Sequence, residues 1–268
     1  MNGKWNALIG LLGEYERVAV AFSAGADSTL LLKAAHEALG GNVIAITGKS
    51  LAFPERENEE AQIFCESLGI RQITVEFDQT AVAGFCENPP ERCYLCKRVL
   101  FSAFLRAAHE NGFAQLIEGS NTDDLNDYRP GMRAVRELSV RSPLQEVGLS
   151  KQEIRELSAE LNLPTWNKPS FACLATRFPY GERITEEGLR AVGEAEEYLI
   201  ALGFRQVRVR AHGRLARIEV ERAQIPMITE PETSDKVVER LRSLGFLYVS
   251  LDLSGYETGS MNKTLSSV

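Results

Sequence analysis

One stretch near the N-terminus decides the fold of this chain, Val18-Ala-Val-Ala-Phe-Ser-Ala-Gly-Ala-Asp-Ser-Thr-Leu-Leu-Leu32. Its first five residues are apolar and β-prone, which predicts a fully buried strand. The small residues 23–25 predict a tight turn, and a helical run follows from about residue 28 to residue 39. A strand that turns directly into a helix leaves backbone N–H groups free at the helix N-terminus, where they and the helix dipole bind phosphate. Ser23 and Ser28 add hydroxyl donors, and Asp27 is a candidate ligand for magnesium.

The turn differs from two common phosphate-binding motifs. It has no lysine where a P-loop NTPase needs one, and it is not Gly-x-Gly-x-x-Gly. It resembles Ser-Gly-Gly-x-Asp-Ser, the pyrophosphate-binding loop of the adenylating ATP pyrophosphatases, with Ala24 in place of the first glycine. We expect that methyl group to restrict the turn slightly without abolishing binding. The alternative is an ordinary strand-turn-helix rich in small residues. The resemblance implies a nucleotide site formed by Ser23, Ala24, Gly25, Ala26, Asp27 and Ser28.

Strands and helices alternate after this stretch. Further strands are predicted at residues 43–47, 72–77, 115–117 and 139–141, with helices at 55–68 and about 97–111. This alternation predicts a parallel sheet with right-handed crossovers, whose ligands bind at the carboxyl ends of the strands. Three segments should meet at that edge: the turn at Ser23, the pair Gly48-Lys49, and Glu118-Gly-Ser-Asn-Thr-Asp-Asp124. Within the last segment, Gly119, Asn121 and Asp124 are candidate nucleotide-binding residues.

The C-terminal third has a different pattern. A capping box at Ser150–Glu153 starts a helix, and a long loop without clear periodicity follows at residues 163–183. Thr185 is a good N-cap for the next helix, which precedes a hairpin turning at His212-Gly213, another helix and a last strand. The predicted architecture is therefore an α/β, Rossmann-like domain at 1–180 followed by a small α+β domain at 181–268.

Composition limits the classes of function. The chain has 268 residues, 44% of them hydrophobic and 25% charged, with a net charge of −7. This acidic balance argues against nucleic acid as a partner, because counterion release needs a basic surface. No apolar run approaches the ~18 residues that span a bilayer, and no signal peptide precedes the first helix, so we expect a cytoplasmic protein without a membrane partner. Its five cysteines are then expected to be core, metal or catalytic residues rather than disulfides.

Three cysteines are candidates for chemistry. Cys93-x-x-Cys96 has metal or redox spacing, and Cys173 is the remaining cysteine near the predicted site. Zinc would need four ligands, whereas three thiolates suffice for a [4Fe–4S] cluster with one open iron. The alternatives are two loop thiols or a redox pair for the first two, and simple burial for the third. Lys168 and Arg177 flank Cys173, and nearby cations favour the nucleophilic thiolate.

Two further groups could bind anions or metals. Arg208 and Arg210 project from one face of the hairpin, an arrangement suited to a phosphate or carboxylate; the alternative is a solvated sheet face on which arginines pair with Glu219. An acidic loop on the ligand edge could orient magnesium or ribose hydroxyls, or could simply be exposed; it contains Asp123, Asp124, Asp127 and Arg129.

Together these blocks resemble the LarE family of ATP-dependent sulfur transferases, which help to build the nickel-pincer nucleotide of lactate racemase. The resemblance covers nearly the whole chain. Besides the turn, it rests on Cys93-Tyr-Leu-Cys-Lys97, the run from Glu118 to Gly131 with its Asp127-Tyr-Arg-Pro-Gly131 block, Val140-Arg-Ser-Pro-Leu144, Leu163-Pro-Thr-Trp-Asn-Lys-Pro169, Cys173-Leu-Ala-Thr-Arg177 and Pro179-Tyr-Gly181. It implies a PP-loop ATP domain of the adenine nucleotide alpha hydrolase-like fold, a small catalytic domain, and a homo-oligomer, often a hexamer.

The resemblance also implies a mechanism. ATP, with Mg²⁺, adenylates a carboxylate of pyridinium-3,5-biscarboxylic acid mononucleotide, and a sulfur nucleophile then displaces AMP to give a thiocarboxylate. In one branch of the family the sulfur comes from the cysteine that matches Cys173, which becomes dehydroalanine. In another branch, a [4Fe–4S] cluster on the cysteines that match Cys93, Cys96 and Cys173 carries the sulfide, and the presence of all three favours this route. Asp27 and Arg177 are the other implied catalytic residues, and Arg208 and Arg210 match the substrate-phosphate arginines.

Three rival functions remain open. A tRNA thiolation enzyme would use the same loop and a similar cluster, but the acidic charge argues against it. An ammonia-dependent amidating ligase would leave Cys173 without a role. A nucleotide or iron–sulfur carrier would not catalyse ATP–pyrophosphate exchange. The LarE hypothesis itself requires the Cys173 sulfur close to the nucleotide turn.

Overall fold

The computed structural model describes residues 3–126, 130–169, 171–257 and 259–260. The chain forms two compact units. The parallel-sheet unit comprises Met1–Asp78 and Cys93–Phe171, and the hairpin unit comprises Gln79–Arg92 and Ala172–Val268. Residues 79–92 and 172–180, which the sequence analysis placed in the first domain, thus lie in the hairpin unit.

Four parallel strands form the sheet of the first unit: β1 (Val18–Ala21), β2 (Val43–Lys49), β3 (Arg71–Glu76) and β4 (Gln115–Ile117). Their order is β3-β2-β1-β4. Val18 of the central strand β1 lies opposite both Val43 and Gln115. The predicted parallel sheet is confirmed, and its buried β1 and β2 read as continuous apolar runs because both faces are covered.

Among the described residues, seven helices accompany this sheet: α1 (Gly3–Gly13), α2 (Ala26–Leu39), α3 (Glu55–Leu68), α4 (Arg92–Glu110), α5 (Gly131–Glu137), α6 (Pro143–Glu146) and α7 (Lys151–Glu160). Successive side chains of β1 enter opposite core layers. Val18 and Val20 pack in the layer that contains Trp5 of α1 and the leucines of α2. Ala19 packs in the other layer, with Phe101 and Phe104 of α4. This doubly wound arrangement leaves the carboxyl ends of the strands as the open edge.

Two predicted elements differ from the structure. Helix α4 begins at Arg92 rather than near Lys97, so Cys93 and Cys96 lie on a helix and not in a loop. Arg92 is buried and donates hydrogen bonds to Asn88 and to the Ala175 carbonyl, and these distant contacts fix the helix start. The predicted strand at 139–141 is wrong: Ser139 has a φ of +54° where α5 ends, and only a single parallel bridge joins Arg141 to Ile117.

The hairpin unit is a small α+β module. It contains α8 (Glu186–Ala201), β5 (Val207–His212), β6 (Leu215–Val220), α9 (Ile225–Thr229), α10 (Pro231–Ser243) and β7 (Tyr248–Leu251). β5 and β6 pair antiparallel, and β7 adds parallel to β6. The predicted hairpin and the Thr185 N-cap, which accepts from the Gly188 N–H, are confirmed. So is the Ser150–Glu153 capping box of the other unit.

Short 3-10 helices occur at Gly40–Asn42, Thr122–Asn126, Leu174–Arg177 and Arg222–Gln224. None of the helices in the described part of the chain is both long and apolar enough to cross a membrane.

Candidate active site

Ser28 fixes the turn between β1 and α2. Its hydroxyl donates to the Gly25 carbonyl (3.2 Å), accepts from the Ser23 backbone N–H (3.3 Å) and lies 3.2 Å from the Ser23 hydroxyl. Gly25 is the N-cap of α2, and no side chain of the described residues caps it. The first N–H groups of α2 therefore remain available to an anionic ligand.

Ala24 adopts a backbone conformation that favours glycine. Its φ is +52°, and the residue is buried. An L-residue in this left-handed region costs about 1–2 kcal/mol, so the methyl group strains the turn more than the sequence suggests. Lys168 Nζ donates to the Ala24 carbonyl over 2.9 Å and holds the residue in place. The effect on ligand binding stays a prediction.

A cleft of about 290 Å³ opens where β1, β2 and β4 end. One end is polar and is lined by Ser23, Gly25, Asp27 and Ser28. The other end is apolar and is lined mainly by Phe53, Leu100, Phe101 and Phe104, with Gly48 between them. The cleft can therefore take a molecule with an anionic end and a flat apolar end.

Gly119 brings the end of β4 directly against the turn. A Cβ at Gly119 would lie 3.1 Å from the Ser28 backbone nitrogen, closer than side chains normally approach. Glycine is thus favoured there, and a role of Gly119 in nucleotide binding stays a prediction. Gly48 lines the cleft, whereas the Lys49 side chain pairs with Glu55 at 3.5 Å.

Asp27 forms an ion pair with a lysine side chain. Lys151, at the start of α7, places its Nζ 2.6 Å from Asp27 Oδ2. Asn121 Nδ2 lies 3.4 Å from the other carboxylate oxygen, and the Asn121 backbone N–H donates to Asp124 Oδ2 at 3.0 Å. The structure therefore brings together Asp27, Asn121 and Asp124 as predicted. Lys151 was missed, because only its place beside the capping box is visible in the sequence.

A second buried carboxylate faces the cleft beside a lysine. Glu118 is 6% exposed and accepts hydrogen bonds from the Ser120 backbone and from the Ser120 and Ser142 hydroxyls. Lys97 Nζ lies 3.6 Å from Glu118 Oε2. The sequence analysis placed Glu118 at this edge without a role of its own, and it gave no role to Lys97, which directly follows the Cys-x-x-Cys motif.

Asn58 contributes an unpaired donor to the cleft wall. Its Nδ2 is buried and has no hydrogen-bond partner among the described residues, and the side chain lines the cleft near Phe53. A buried unpaired amide is costly, so this group is a ready donor for a bound ligand.

The three candidate cysteines lie in different units. Cys93 and Cys96 are partly buried one turn apart on α4 in the parallel-sheet unit, and Cys173 is partly buried in the hairpin unit. Within the described part of the chain, no three His, Cys, Asp or Glu side chains group so that they could hold a metal ion. The predicted acidic-loop residues Asp127 and Arg129 lie outside the described residues, and the proximity of Cys173 to the nucleotide turn stays a prediction.

Cys173 precedes a 3-10 turn held by a buried ion pair. Its carbonyl accepts from the Thr176 N–H at 2.9 Å and the Thr176 hydroxyl at 2.8 Å. Arg177 is fully buried and forms two hydrogen bonds with Glu196, of 2.6 and 2.8 Å, and a third with the Thr176 hydroxyl. Burial opposes its charge, but Glu196 more than compensates and raises the pKa of Arg177. These contacts position the Cys173 turn; a direct catalytic role of Arg177 stays a prediction.

Arg208 and Arg210 are buried, so a solvated sheet face is the wrong interpretation. Arg210 pairs with Glu219 at 2.8 Å and donates to the Thr176 carbonyl at 2.9 Å, close to the Cys173 turn. Burial, and then repulsion from Arg177, lower the pKa of Arg208 to about 10. The guanidinium groups of Arg177, Arg208 and Arg210 lie near two buried carboxylates, Glu196 and Glu219, and such a group of arginines suits an anionic ligand.

Comparison with known proteins gives relatives that span nearly the whole chain. An uncharacterized protein of Synechocystis sp. is 43% identical over 266 residues, 99% of each chain. Pyridinium-3,5-bisthiocarboxylic acid mononucleotide synthase of Lactiplantibacillus plantarum is 40% identical over 260 residues, 97% of this chain and 94% of the relative. One subunit of the glutamine-hydrolyzing GMP synthase of Methanothermobacter thermautotrophicus is 27% identical over 158 residues, 56% of this chain and 51% of its own. No family model matches the chain.

Proposed function

The chain belongs to the LarE family of pyridinium-3,5-bisthiocarboxylic acid mononucleotide synthases, and on that premise we propose that it is an ATP-dependent sulfur transferase acting on the biscarboxylate mononucleotide. The observation that carries the proposal is the cleft at the PP-loop, whose polar end suits the triphosphate of ATP and whose apolar end suits the base. The relationship to a GMP synthase supports the same nucleotide fold.

In the proposed complex, each end of the cleft binds a different part of the nucleotide. The α2 N–H groups, Ser23 and Ser28 hold phosphate oxygens, and the aromatic end takes the adenine. Mg²⁺ fits Asp27, because this carboxylate borders the polar end and already attracts a cation there. When bound, Mg²⁺ neutralises phosphate charge and leaves the α-phosphorus open to attack.

Adenylation is the first chemical step of the proposal. A substrate carboxylate oxygen attacks the α-phosphorus of ATP, the bond to the β-phosphate bridging oxygen breaks, and pyrophosphate leaves with that electron pair. Activation is needed because a carboxylate oxygen is a poor leaving group, whereas AMP is a good one.

The hairpin unit contains the arginines that we propose for the substrate phosphate. Arg208 and Arg210 are buried, and Arg210 contacts the Cys173 turn through the Thr176 carbonyl. A phosphate held there would relieve the repulsion among the three guanidinium groups. This supports their assignment as the site of the mononucleotide phosphate.

Cys173 donates the sulfur. Its thiolate attacks the adenylated carbonyl carbon and expels AMP, giving a thioester. Loss of the Cys173 α-proton then breaks the Cβ–S bond, so the thiocarboxylate leaves and dehydroalanine remains. The alternative source is sulfide on a [4Fe–4S] cluster at Cys93, Cys96 and Cys173. No step is assigned to such a cluster.

Turnover with ATP, Mg²⁺ and the biscarboxylate tests the function. We expect AMP, pyrophosphate and thiocarboxylate, and a chain that loses the mass of hydrogen sulfide at Cys173. Cys173→Ala should keep substrate-dependent ATP–pyrophosphate exchange and lose thiocarboxylate. No AMP formation by the wild-type protein would refute the proposal, and ammonia-dependent amide formation would support the amidating ligase instead.

Iron analysis of anaerobically purified protein separates the two sulfur sources. The sacrificial route predicts iron-free active protein, whereas a cluster predicts about four irons per chain and no mass loss. We also propose that the protein forms a homo-oligomer, and a hexamer is the expected size. Light scattering measures the oligomer mass in solution.

A further inference from the structure

The loop that binds phosphate in this protein has no lysine of its own, yet a lysine reaches it from elsewhere in the chain. Lys151 Nζ lies 2.6 Å from the carboxylate of Asp27, and Asp27 lines the polar end of the cleft beside Gly25 and Ser28. Lys151 is 124 residues away in sequence. Lys151 itself is not among the side chains that line the cleft, and the lysine that does line it, Lys97, pairs with the buried Glu118.

We infer that Lys151 is a phosphate-binding catalytic residue, which neutralises Asp27 in the nucleotide-free protein and contacts the pyrophosphate leaving group when ATP is bound. This inference rests on the proposed function for the identity of the nucleotide. It adds a residue to the site that neither the motif nor the sequence pattern assigns.

The base of the Lys151 side chain is fixed while its end can move. The Lys151 backbone N–H donates to Asp123 Oδ2 at 3.0 Å, and the Ser150–Glu153 capping box fixes the helix start. The Lys151 side chain is 31% exposed and its partner Asp27 26% exposed, so solvent reaches the ion pair and a divalent cation can compete for the carboxylate. An ammonium displaced from Asp27 remains within a side-chain rotation of the turn.

The displaced ammonium group of Lys151 can stabilise the negative charge that develops on the pyrophosphate leaving group. When the α-phosphorus is attacked, the electron pair of the breaking P–O bond passes to the pyrophosphate oxygen and negative charge grows there. An ammonium beside that oxygen stabilises the transition state without transferring a proton. A P-loop NTPase uses its own loop lysine for this purpose, and here the lysine would come from α7.

Binding measurements in the Asp27→Asn background test the contact directly. With the carboxylate gone, Lys151 has lost its ion-pair partner, so a purely structural role predicts that Lys151→Met changes nothing further. Our inference predicts that Asp27→Asn/Lys151→Met binds metal-free ATP about tenfold more weakly than Asp27→Asn alone, by isothermal titration calorimetry in EDTA. Asp27→Asn/Lys33→Met is the matched charge control, since Lys33 pairs with Glu37 on the same helix. Its affinity for metal-free ATP should differ less than twofold from that of Asp27→Asn. Equal affinities in all three proteins would overturn the inference.

The kinetics of ATP–pyrophosphate exchange give a second, independent test. In an otherwise wild-type chain, Lys151→Met should lower kcat for ATP–pyrophosphate exchange about 100-fold, and Lys151→Arg should retain most of it. The Mg²⁺ concentration for half-maximal ATP binding should fall in Lys151→Met, because the ion no longer competes with an ammonium for Asp27. Unchanged kcat with a correctly folded variant contradicts the inference. If the wild-type protein shows no exchange, the proposed function fails while the calorimetry still decides the role of Lys151.

Discussion

Replacing Glu196 by glutamine should destabilise the hairpin unit strongly. Arg177 is fully buried, and Glu196 is its carboxylate partner through two hydrogen bonds of 2.6 and 2.8 Å. Glu196 Oε1 also accepts from the Val209 N–H at 2.8 Å, which ties α8 to β5. The substitution preserves size and removes one charge, so it isolates the electrostatic contribution.

The magnitude follows from leaving a guanidinium buried without a counter-charge. Breaking a buried ion pair on one side costs about 3–5 kcal/mol. A glutamine oxygen at the Oε1 position can still accept two of the three hydrogen bonds, from Arg177 Nε and the Val209 N–H, so we expect the lower end, about 3 kcal/mol.

Glu194 is the matched control. It lies two residues earlier on the same helix, is 51% exposed and pairs with Arg240 at 2.8 Å. Glu194→Gln should change the free energy of unfolding by less than about 1 kcal/mol, because solvent screens an exposed pair.

Urea unfolding followed by hydrogen exchange of β5 amides measures both variants within this unit. A double variant, Arg177→Met/Glu196→Gln, should regain part of the loss because no unpaired charge is buried. The reasoning would be refuted if Glu194→Gln and Glu196→Gln lowered the free energy of unfolding by equally small amounts. It would also be refuted if the double variant regained none of the stability that Glu196→Gln loses.

Three other predictions concern the parallel-sheet unit. Gly119→Ala should raise the KM for ATP about tenfold by pushing on the Ser28 backbone 3.1 Å away, whereas Gly13→Ala, with no atom within 4 Å, should not; steady-state kinetics at both positions decide this. Asn58→Ala should raise the Kd for ATP without loss of stability, because its buried Nδ2 has no partner to lose among the described residues; calorimetry alongside thermal unfolding checks both. Hydrogen bonds from Lys4, then from Ser150, lower the pKa of Glu153 from 4.5 to about 2, so its contribution to stability is complete above pH 4.5 and is lost as the pH falls toward 2. Glu153→Gln should flatten stability against pH in that window in urea titrations, and an unchanged slope would contradict the assignment.

Local sequence signals predicted those elements that local interactions determine. The strand-turn-helix at 18–39, the capping box and the Thr185 N-cap depend on neighbours within a few residues, so their patterns could be read directly. The start of α4 could not be predicted from local signals. Arg92 donates hydrogen bonds to Asn88 and to the Ala175 carbonyl, and Ala175 is 83 residues away in the sequence.

The candidate site shows the same division. The backbone donors of the turn, Gly48 and Gly119 lie at strand ends, where the alternation of elements places them. Lys151 reaches Asp27 from α7 and Asn58 lines the cleft from α3, and no spacing rule connects either residue to the turn. The strain at Ala24 is likewise a φ value that the residue type does not reveal.

By itself the sequence determined a parallel α/β sheet with a phosphate-binding turn and the residue blocks of its family, because periodicity and short motifs record local physics. Only the tertiary structure decided which charges meet: Lys151 with Asp27, Lys97 with Glu118, and Arg177 with Glu196. Such pairs depend on burial and on distances between segments far apart in the chain, and a buried charge is stable only where the fold supplies its partner.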